Sequence, residues 1–393
     1  MSASPTVLPE KATHHQTRAF NQQLVLRALY DDSPLSRADL ARLTGLTRTS
    51  VSDLVGGLID DGLIEEVGRG RSSGGKTPIL LRVVPEGRLL IGLDLADSQF
   101  SGAVVNLRGE ILRSMQLPLE GRDGEAAVEL VFRLVDALRA DDPSPLLGIG
   151  IGAPGVIDTR SGTVRWSVNL EWTDLPLGPL VERRYGVPVV VANDSHAAAL
   201  AELTFFYRRP RPTNLIVIKV GRGVGAGIII NGQLFQGDGY GAGEFGHVSP
   251  GQGGAPCRCG RAGCLETRTS MRALIAAART VQSTITDEAG LIAAFQAGVA
   301  GVRQIVLDAA RELGSAVGWL IGVLNVRHVL LVGPVAAFGE DWLDEVRRSA
   351  LSSVPGLLAR DTQIEFGHVH DDVVVLGASA LLMEQQLGLG LAR

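Results

Sequence analysis

Residues 214–266 read NLIVIKVGRGVGAGIIINGQLFQGDGYGAGEFGHVSPGQGGAPCRCGRAGCLE, and the order of events in this stretch decides the fold. An apolar run breaks at Gly221-Arg222-Gly223 and resumes as a second apolar run, the pattern of two buried strands joined by a glycine loop. The theme recurs upstream. LLGIGIGAPGVID (146–158) is a buried strand ending in a Pro-Gly turn, and VPVVVANDSHAAALAE (187–202) is a strand, a polar turn and an alanine-rich helix. LLIGLDLADSQFSGAVVNLRGEIL (89–112) gives two apolar strands around a turn, with 106–109 as the next turn. Strand, polar loop, then strand or helix thus occurs in both halves of the chain beyond Arg88. Two related α/β lobes closing on a cleft account for the repetition.

The first 85 residues are of another kind. FNQQLVLRALY (20–30) has apolar residues at helical spacing and ends at Asp31-Asp32-Ser33-Pro34. Ser36 is placed to cap a short helix over 37–44, Gly45-Leu46 turns the chain, and Thr47 caps a third helix. That helix puts Val51, Leu54, Val55, Leu58 and Ile59 on one stripe, while its opposite face begins with Arg48, Thr49, Ser50 and Ser52. One arginine and small hydroxyl side chains at the start of such a helix reach base edges and phosphates when that end enters the major groove. LIEEVGRGRSSGGKTPILLRVV (63–84) follows as a hairpin with Arg69, Arg71 and Lys76 at a glycine-rich tip, suited to backbone phosphate or the minor groove. The whole is a winged helix-turn-helix over 15–84, bringing operator DNA as a partner. A protein-docking winged helix is the competing reading. Gly56-Gly57 inside the third helix is out of place, costing about 1 kcal/mol per glycine relative to alanine, and implies a tight neighbour or a bend.

Composition is consistent with this division. The 393 residues, 45% apolar with 49 glycines, exceed one core and describe a multidomain α/β chain rich in tight turns. The net charge of −5 is uneven: residues 1–85 carry +1 and the remainder −6, and every charge between Val67 and Val83 is basic. No run is long and charge-free enough to span a bilayer, and residues 1–15 lack the form of a signal peptide, so the expectation is a cytoplasmic protein without a membrane partner.

GAPGVID, then NLEW, NDSHAAALAE, GRGVGAGIIINGQLFQGDGYGAGEFGH and CRCGRAGCLE, in that order, resemble the ROK (repressor, open reading frame, kinase) family, over about residues 20–385. The resemblance is strongest to the family's sugar-responsive repressors, which carry the helix-turn-helix its kinases lack. It implies an actin-like fold of the sugar-kinase, ribonuclease H-like type: a first lobe over 88–205 with a C-terminal helix (376–388) packing back on it, and a second over 206–372. It implies a small sugar as effector and a homodimer or homotetramer, since one winged helix reads too few base pairs to be selective.

Cys257, Cys259 and Cys264 are the chain's three cysteines and fall within eight residues. A redox pair with a spare thiol is one reading. C-x-C-x4-C fits disulfide geometry poorly and metal spacing well, so a structural Zn²⁺ is the other, with Gly260 and Gly263 letting the loop fold back. His247 corresponds to the family's zinc histidine and completes four ligands. By the same resemblance Asn169, Asn193, Asp194, Glu244, His247 and Glu266 are candidate sugar contacts, carboxylates and carboxamides supplying the fixed donors and acceptors a ring of hydroxyls requires. In the kinases the residue matching Asp194 is the general base, which keeps an ATP-dependent sugar kinase as the alternative. Three departures oppose it. Asp97 replaces a glycine of the first phosphate loop, where a carboxylate about 4 Å from phosphate repels it by about 4 kcal/mol. Arg222 stands where kinases show threonine, and Pro334 replaces the second of a glycine pair and removes a backbone donor. The expectation is a regulator with no catalytic residue.

Overall fold

The structure, a computed structural model, describes residues 14–70, 77–96, 98–139, 145–207, 210–249, 251, 253–368 and 371–390. They form two compact units: the described residues up to Arg88 together with Gln385–Leu389, and Leu89–Glu384 with Gly390.

The N-terminal unit runs α1 (His14–Asp32), β1 (Leu35–Ser36), α2 (Arg37–Thr44), α3 (Arg48–Asp60), β2 (Ile64–Arg69) and β3 (Ile79–Val83). Ser36 caps α2 with a reciprocal box: its side chain accepts from Asp39 N, and the Asp39 carboxylate reaches back to Ser36 N at 3.2 Å. Gly45, in the left-handed region at φ +70°, ends the helix. Thr47 Oγ1 accepts from Ser50 N at 3.2 Å and starts α3, whose Val51, Leu54, Val55 and Leu58 are buried, as are Leu26, Leu29 and Leu40. Two features depart from the sequence reading. The first helix starts at His14 rather than Phe20, because exposed polar residues such as Gln16, Thr17 and Arg18 prolong a helix without adding to its apolar stripe. β1 pairs with β3, Leu35 opposite Leu81, and two residues are too few to show alternation. Gly56 has no atom within 4 Å of where a Cβ would stand, and Gly57 only an Arg18 nitrogen at 3.9 Å. Of the two explanations, a tight neighbour or a bend, the tight neighbour is absent.

The second unit opens with β4 (Leu89–Leu95), β5 (Gln99–Asn106), β6 (Ile111–Pro118), α4 (Gly124–Arg139) and β7 (Leu146–Ala153). A small sheet of β8 (Val156–Asp158), β9 (Thr163–Ser167) and β10 (Trp172–Leu175) precedes α5 (Leu177–Tyr185), β11 (Val189–Asn193) and α6 (Asp194–Ala201), which runs on as a π-helical turn through Glu202–Phe206. The second lobe holds β12 (Leu215–Val220), β13 (Val224–Ile230), β14 (Gln233–Leu234), α7 (Glu266–Thr269), α8 (Met271–Val281), α9 (Glu288–Gln296) and α10 (Ala300–Leu324). It continues with β15 (His328–Val332), α11 (Glu340–Ser352), α12 (Gly356–Ala359) and β16 (Gln363–Phe366), and the closing helix α13 (Val373–Leu387) lies against β4 and β7 of the first lobe.

The two large sheets share one plan. In β11-β7-β4-β5-β6 and in β14-β13-β12-β15-β16 the central strand pairs in parallel toward one edge and antiparallel toward the other. Each buries its outer face under its own helices: Ile91 and Leu93 with Val131 and Leu134 of α4, and Ile216 and Ile218 with Leu313 and Val317 of α10. A third cluster joins the alanines of α6, Leu215 and Val217 of β12, and Val373–Leu376. Close approach there requires missing side chains. A Cβ on Gly150 of β7 would lie 2.2 Å from Ala378 O, and one on Gly377 would lie 1.7 Å from Ala197 O. The alanine-rich α6 is therefore locked between α13 and the second sheet, which fixes its N-terminus at the cleft. Among the described residues no single helix is long and apolar enough to cross a membrane. α9 and α10, apolar enough as a pair, meet at a bend of 105° and bury their stripes in the second core.

Candidate ligand cleft and metal centre

The lobes enclose a cleft of about 400 Å³ lined by all six candidate contact residues, Asn169, Asn193, Asp194, Glu244, His247 and Glu266. Asn193 caps α6. Its Oδ1 accepts from Ser195 N at 2.8 Å and His196 N at 3.2 Å, and its Nδ2 donates to Gly155 O at 3.0 Å, so much of its hydrogen-bonding capacity serves the fold. Asp194 takes Ser195 N on Oδ1 at 2.7 Å and Lys219 Nζ on Oδ2 at 2.8 Å. Glu266 Oε2 accepts from Val224 N at 3.1 Å in the glycine loop. A Cβ on Gly223 would stand 2.8 Å from that oxygen, so the glycine lets the Glu266 carboxylate lie close over the loop. Asn169 Oδ1 accepts from Arg258 Nη1 at 2.9 Å, joining the hairpin region of the first lobe to the cysteine loop of the second. The Arg258 bond holds the Asn169 amide with its N–H donors available to a ligand.

Charge in the cleft is predominantly negative. Burial, then the Asp194 and Glu266 carboxylates, push Glu244 up to about 7. Asp94, at the end of β4, is likewise pushed up to about 7 by desolvation, opposed by Lys219 and assisted by Asp194 and Asp372. A folded-state value raised above 3.8 means that this group favours the native state most below pH 4, and that the contribution is lost as pH rises from about 4 to about 7. Asp94→Asn removes the penalty. Denaturant titrations should find the variant more stable than wild type by about 2 kcal/mol at pH 8 and equal to it near pH 4, the figure discounted for the group's open side. Equal stability at both pH values would show that Asp94 is solvated.

Besides Asp94, sequence reasoning missed three participants. Lys219 carried a signal, a lone charge inside an apolar strand. Arg258 carried none, since its partner is 89 positions away. His196 is buried, and its Nε2 lies 2.7 Å from Ala242 O. Desolvation lowers its pKa, so at neutral pH it is an uncharged donor tying α6 to the loop that carries Glu244.

His247, Cys257, Cys259 and Cys264 present ligand atoms all within 4.8 Å of one another. His247 Nδ1 is 3.5 Å from Cys257 Sγ, and Cys259 Sγ is 3.6 Å from Cys264 Sγ. A tetrahedral shell with metal–sulfur bonds of about 2.3 Å has sulfur–sulfur edges of about 3.8 Å, so the four donors fit such a metal ion. Burial and the neighbouring thiols push Cys264 up to about 12, and a cation is what allows crowded thiols to ionise together. Gly260 and Gly263 lie at φ +86° and +74°, and Arg261 Nη2 donates to His247 O at 2.7 Å. The other ring nitrogen, His247 Nε2, is 3.8 Å from Glu244 Oε2, so the centre borders the cleft directly.

Of the candidate DNA contacts, Arg48, Thr49 and Ser52 are exposed on the first turns of α3, and Arg69 is exposed at the end of β2. Ser50 is half-buried, its amide and hydroxyl engaged with Thr47, so it belongs to the cap more than to a reading face. Arg71 and Lys76 lie outside the described residues, as does Asp97. Arg222 and Pro334 both line the cleft.

Residues 90–385 match the ROK family, and residues 17–72 match the MarR family. The chain is 33% identical over 392 residues to a putative xylose repressor of Caldicellulosiruptor sp. (strain Rt8B.4), covering 95% of this chain and 98% of that one. Among solved structures it is similar to a ROK family transcriptional regulator, a homolog of the E. coli MLC protein (TM-score 0.82, 25% identity, 95% and 98% covered). It is also similar to a ROK family glucokinase from Streptomyces griseus in complex with glucose and AMPPNP (TM-score 0.69, 28% identity, 75% of this chain and 98% of that one covered).

Proposed function

This chain belongs to the ROK family, and we propose on that premise that it is a sugar-responsive repressor: the N-terminal unit binds operator DNA and a small sugar in the cleft changes that affinity. The observation that carries the reading is the presence in one chain of a winged helix with an exposed α3 N-terminus and a ROK cleft, matched end to end by a protein named as a xylose repressor. In this reading Asn169, Asp194, Glu244, Glu266 and the Nε2 side of His247 hold sugar hydroxyls, with Asn193 contributing its remaining N–H. Zn²⁺ is the ion held by His247, Cys257, Cys259 and Cys264: three thiolates and one imidazole suit it, and four protein ligands leave no position for water, so its chemistry is structural. Arg48, Thr49 and Ser52, with Ser50 behind them, read the major groove, and Arg69, Arg71 and Lys76 hold phosphate. The protein acts in the cytoplasm as a homodimer or homotetramer on a pseudo-palindromic site, and it transfers no phosphate.

The test is fluorescence anisotropy with a labelled duplex from the DNA upstream of the protein's own gene, titrated with and without D-xylose or D-glucose. One of the sugars should shift operator affinity by about 5- to 150-fold, and by reciprocity the operator should shift that sugar's affinity by the same factor. Replacing Arg69, Arg71 and Lys76 by alanine should flatten the dependence of log affinity on log salt by up to about 0.9 for each phosphate no longer neutralised. Sugar binding that leaves DNA affinity unchanged would refute the regulatory coupling.

A further inference from the structure

Lys219 is the charged residue of the strand LIVIKV, and its side chain reaches the cleft rather than solvent, 21% exposed beside an equally enclosed Asp194. Its Nζ hydrogen-bonds Asp194 Oδ2 at 2.8 Å, and it interacts electrostatically with Asp94, whose other charged neighbours are Asp194 and Asp372. Two carboxylates, Asp94 and Asp194, therefore share one ammonium, with Asp372 adding negative charge beside Asp94. Enclosing carboxylates together is unfavourable without a compensating cation, and an enzyme transferring phosphoryl groups supplies that charge with a divalent metal ion shared with the nucleotide. Here a strand that is rigid on both sides delivers it instead. An ammonium donating to Asp194 Oδ2 at 2.8 Å already brings to that oxygen the positive charge a divalent ion would supply.

We propose that Lys219 is a built-in counter-ion that takes the place of a divalent cation between Asp94 and Asp194. It positions Asp194 as a fixed hydrogen-bonding group and leaves the cleft no seat for a metal–nucleotide pair. The assignment rests on the reading of the cleft as an effector pocket. It separates this chain's cleft from a phosphotransfer site at a residue distinct from Arg222 and Pro334. A lysine suits the task because its charge is compact and its stem long enough to reach both carboxylates from the strand.

The experiment uses the full-length, zinc-loaded protein at pH 8, where Asp94 is ionised, and follows thermal unfolding with and without millimolar MgCl₂. Wild type should move by no more than about 1 °C, whereas Lys219→Met should unfold at lower temperature and recover by about 3 °C or more with magnesium. Water-proton relaxation with MnCl₂ should report one Mn²⁺ per chain in Lys219→Met and none in wild type. The double variant Lys219→Met, Asp194→Asn removes charge and partner together, so it should fold without magnesium and gain no response to it. If the single variant fails to fold while the double variant folds, the counter-ion role stands. A double variant that also fails would show that Lys219 is needed for packing rather than charge and would overturn the proposal. So would a magnesium response in wild type equal to that of Lys219→Met, or a folded Lys219→Met that binds neither metal. No sugar or DNA enters the readout, so the functional reading and this assignment fail through separate measurements.

Discussion

Removal of the metal from the His247, Cys257, Cys259 and Cys264 site should lower the unfolding temperature of the ROK unit by more than about 5 °C and sugar affinity at least tenfold, equivalent to about 1.4 kcal/mol. The two effects share one cause. Without the cation the Cys264 thiol, pushed up to about 12 by burial and its neighbours, has nothing to hold it ionised, and the loop over 247–264 loses the crosslink that orders it. That loop carries Arg258, which holds the Asn169 amide at 2.9 Å, and His247, whose Nε2 is 3.8 Å from Glu244. Glu266 follows Cys264 by two residues and holds Val224 N at 3.1 Å. Loss of metal therefore disturbs four of the six proposed sugar-binding residues at once. Elemental analysis should find one zinc per chain, and Cys257→Ser should reproduce the effects of chelation. A metal-free protein that binds sugar with unchanged affinity would disconnect the centre from the cleft.

Asp194→Asn should weaken sugar binding by about 10- to 100-fold, the loss of a charge-assisted hydrogen bond together with the partner that Lys219 requires. It should weaken the transcriptional response by the same factor. Phosphate transfer from ATP should be undetectable in the variant and in wild type alike, and calorimetry should find the same sugar affinity with and without ATP and Mg²⁺. The physical reason lies on the nucleotide side: Arg222 and Pro334 line the cleft where kinases keep threonine and glycine, while Asp194, held by Ser195 N on Oδ1 and Lys219 Nζ on Oδ2, keeps lone pairs for a sugar hydroxyl. Sugar phosphorylation by wild type at about 1 to 100 per second, abolished in Asp194→Asn, would make this a sugar kinase with an added DNA-binding unit.

Much of the architecture is legible in the linear chain because it arises from local rules. Ser36, Gly45 and Thr47 mark helix boundaries through interactions spanning three or four residues, and the apolar runs of β4, β7 and β12 declare buried strands by composition alone. The cysteine cluster is equally local: three thiols within eight residues can meet around a glycine turn whatever the rest of the chain does. The resemblance carried Asn169, Asn193, Asp194, Glu244, His247 and Glu266 as candidates in a fixed order, and the fold brings all six to one cleft.

What the chain by itself determined was therefore the elements, their alternation into two related lobes, and the chemical types present at the site. Only the tertiary structure decided how each group is used. Asn193 is largely spent on capping α6, and Ser50 on the start of α3. Asp194 is fastened by a lysine 25 positions away and Asn169 by an arginine 89 positions away. Hydrogen bonds and ion pairs act over about 3 Å in space, and such distances are set by helix packing and sheet register rather than by separation along the chain. The residue types at a site are consequently readable from sequence. Their partners, and hence how each carboxylate is oriented and held, emerge only when the two lobes fold together.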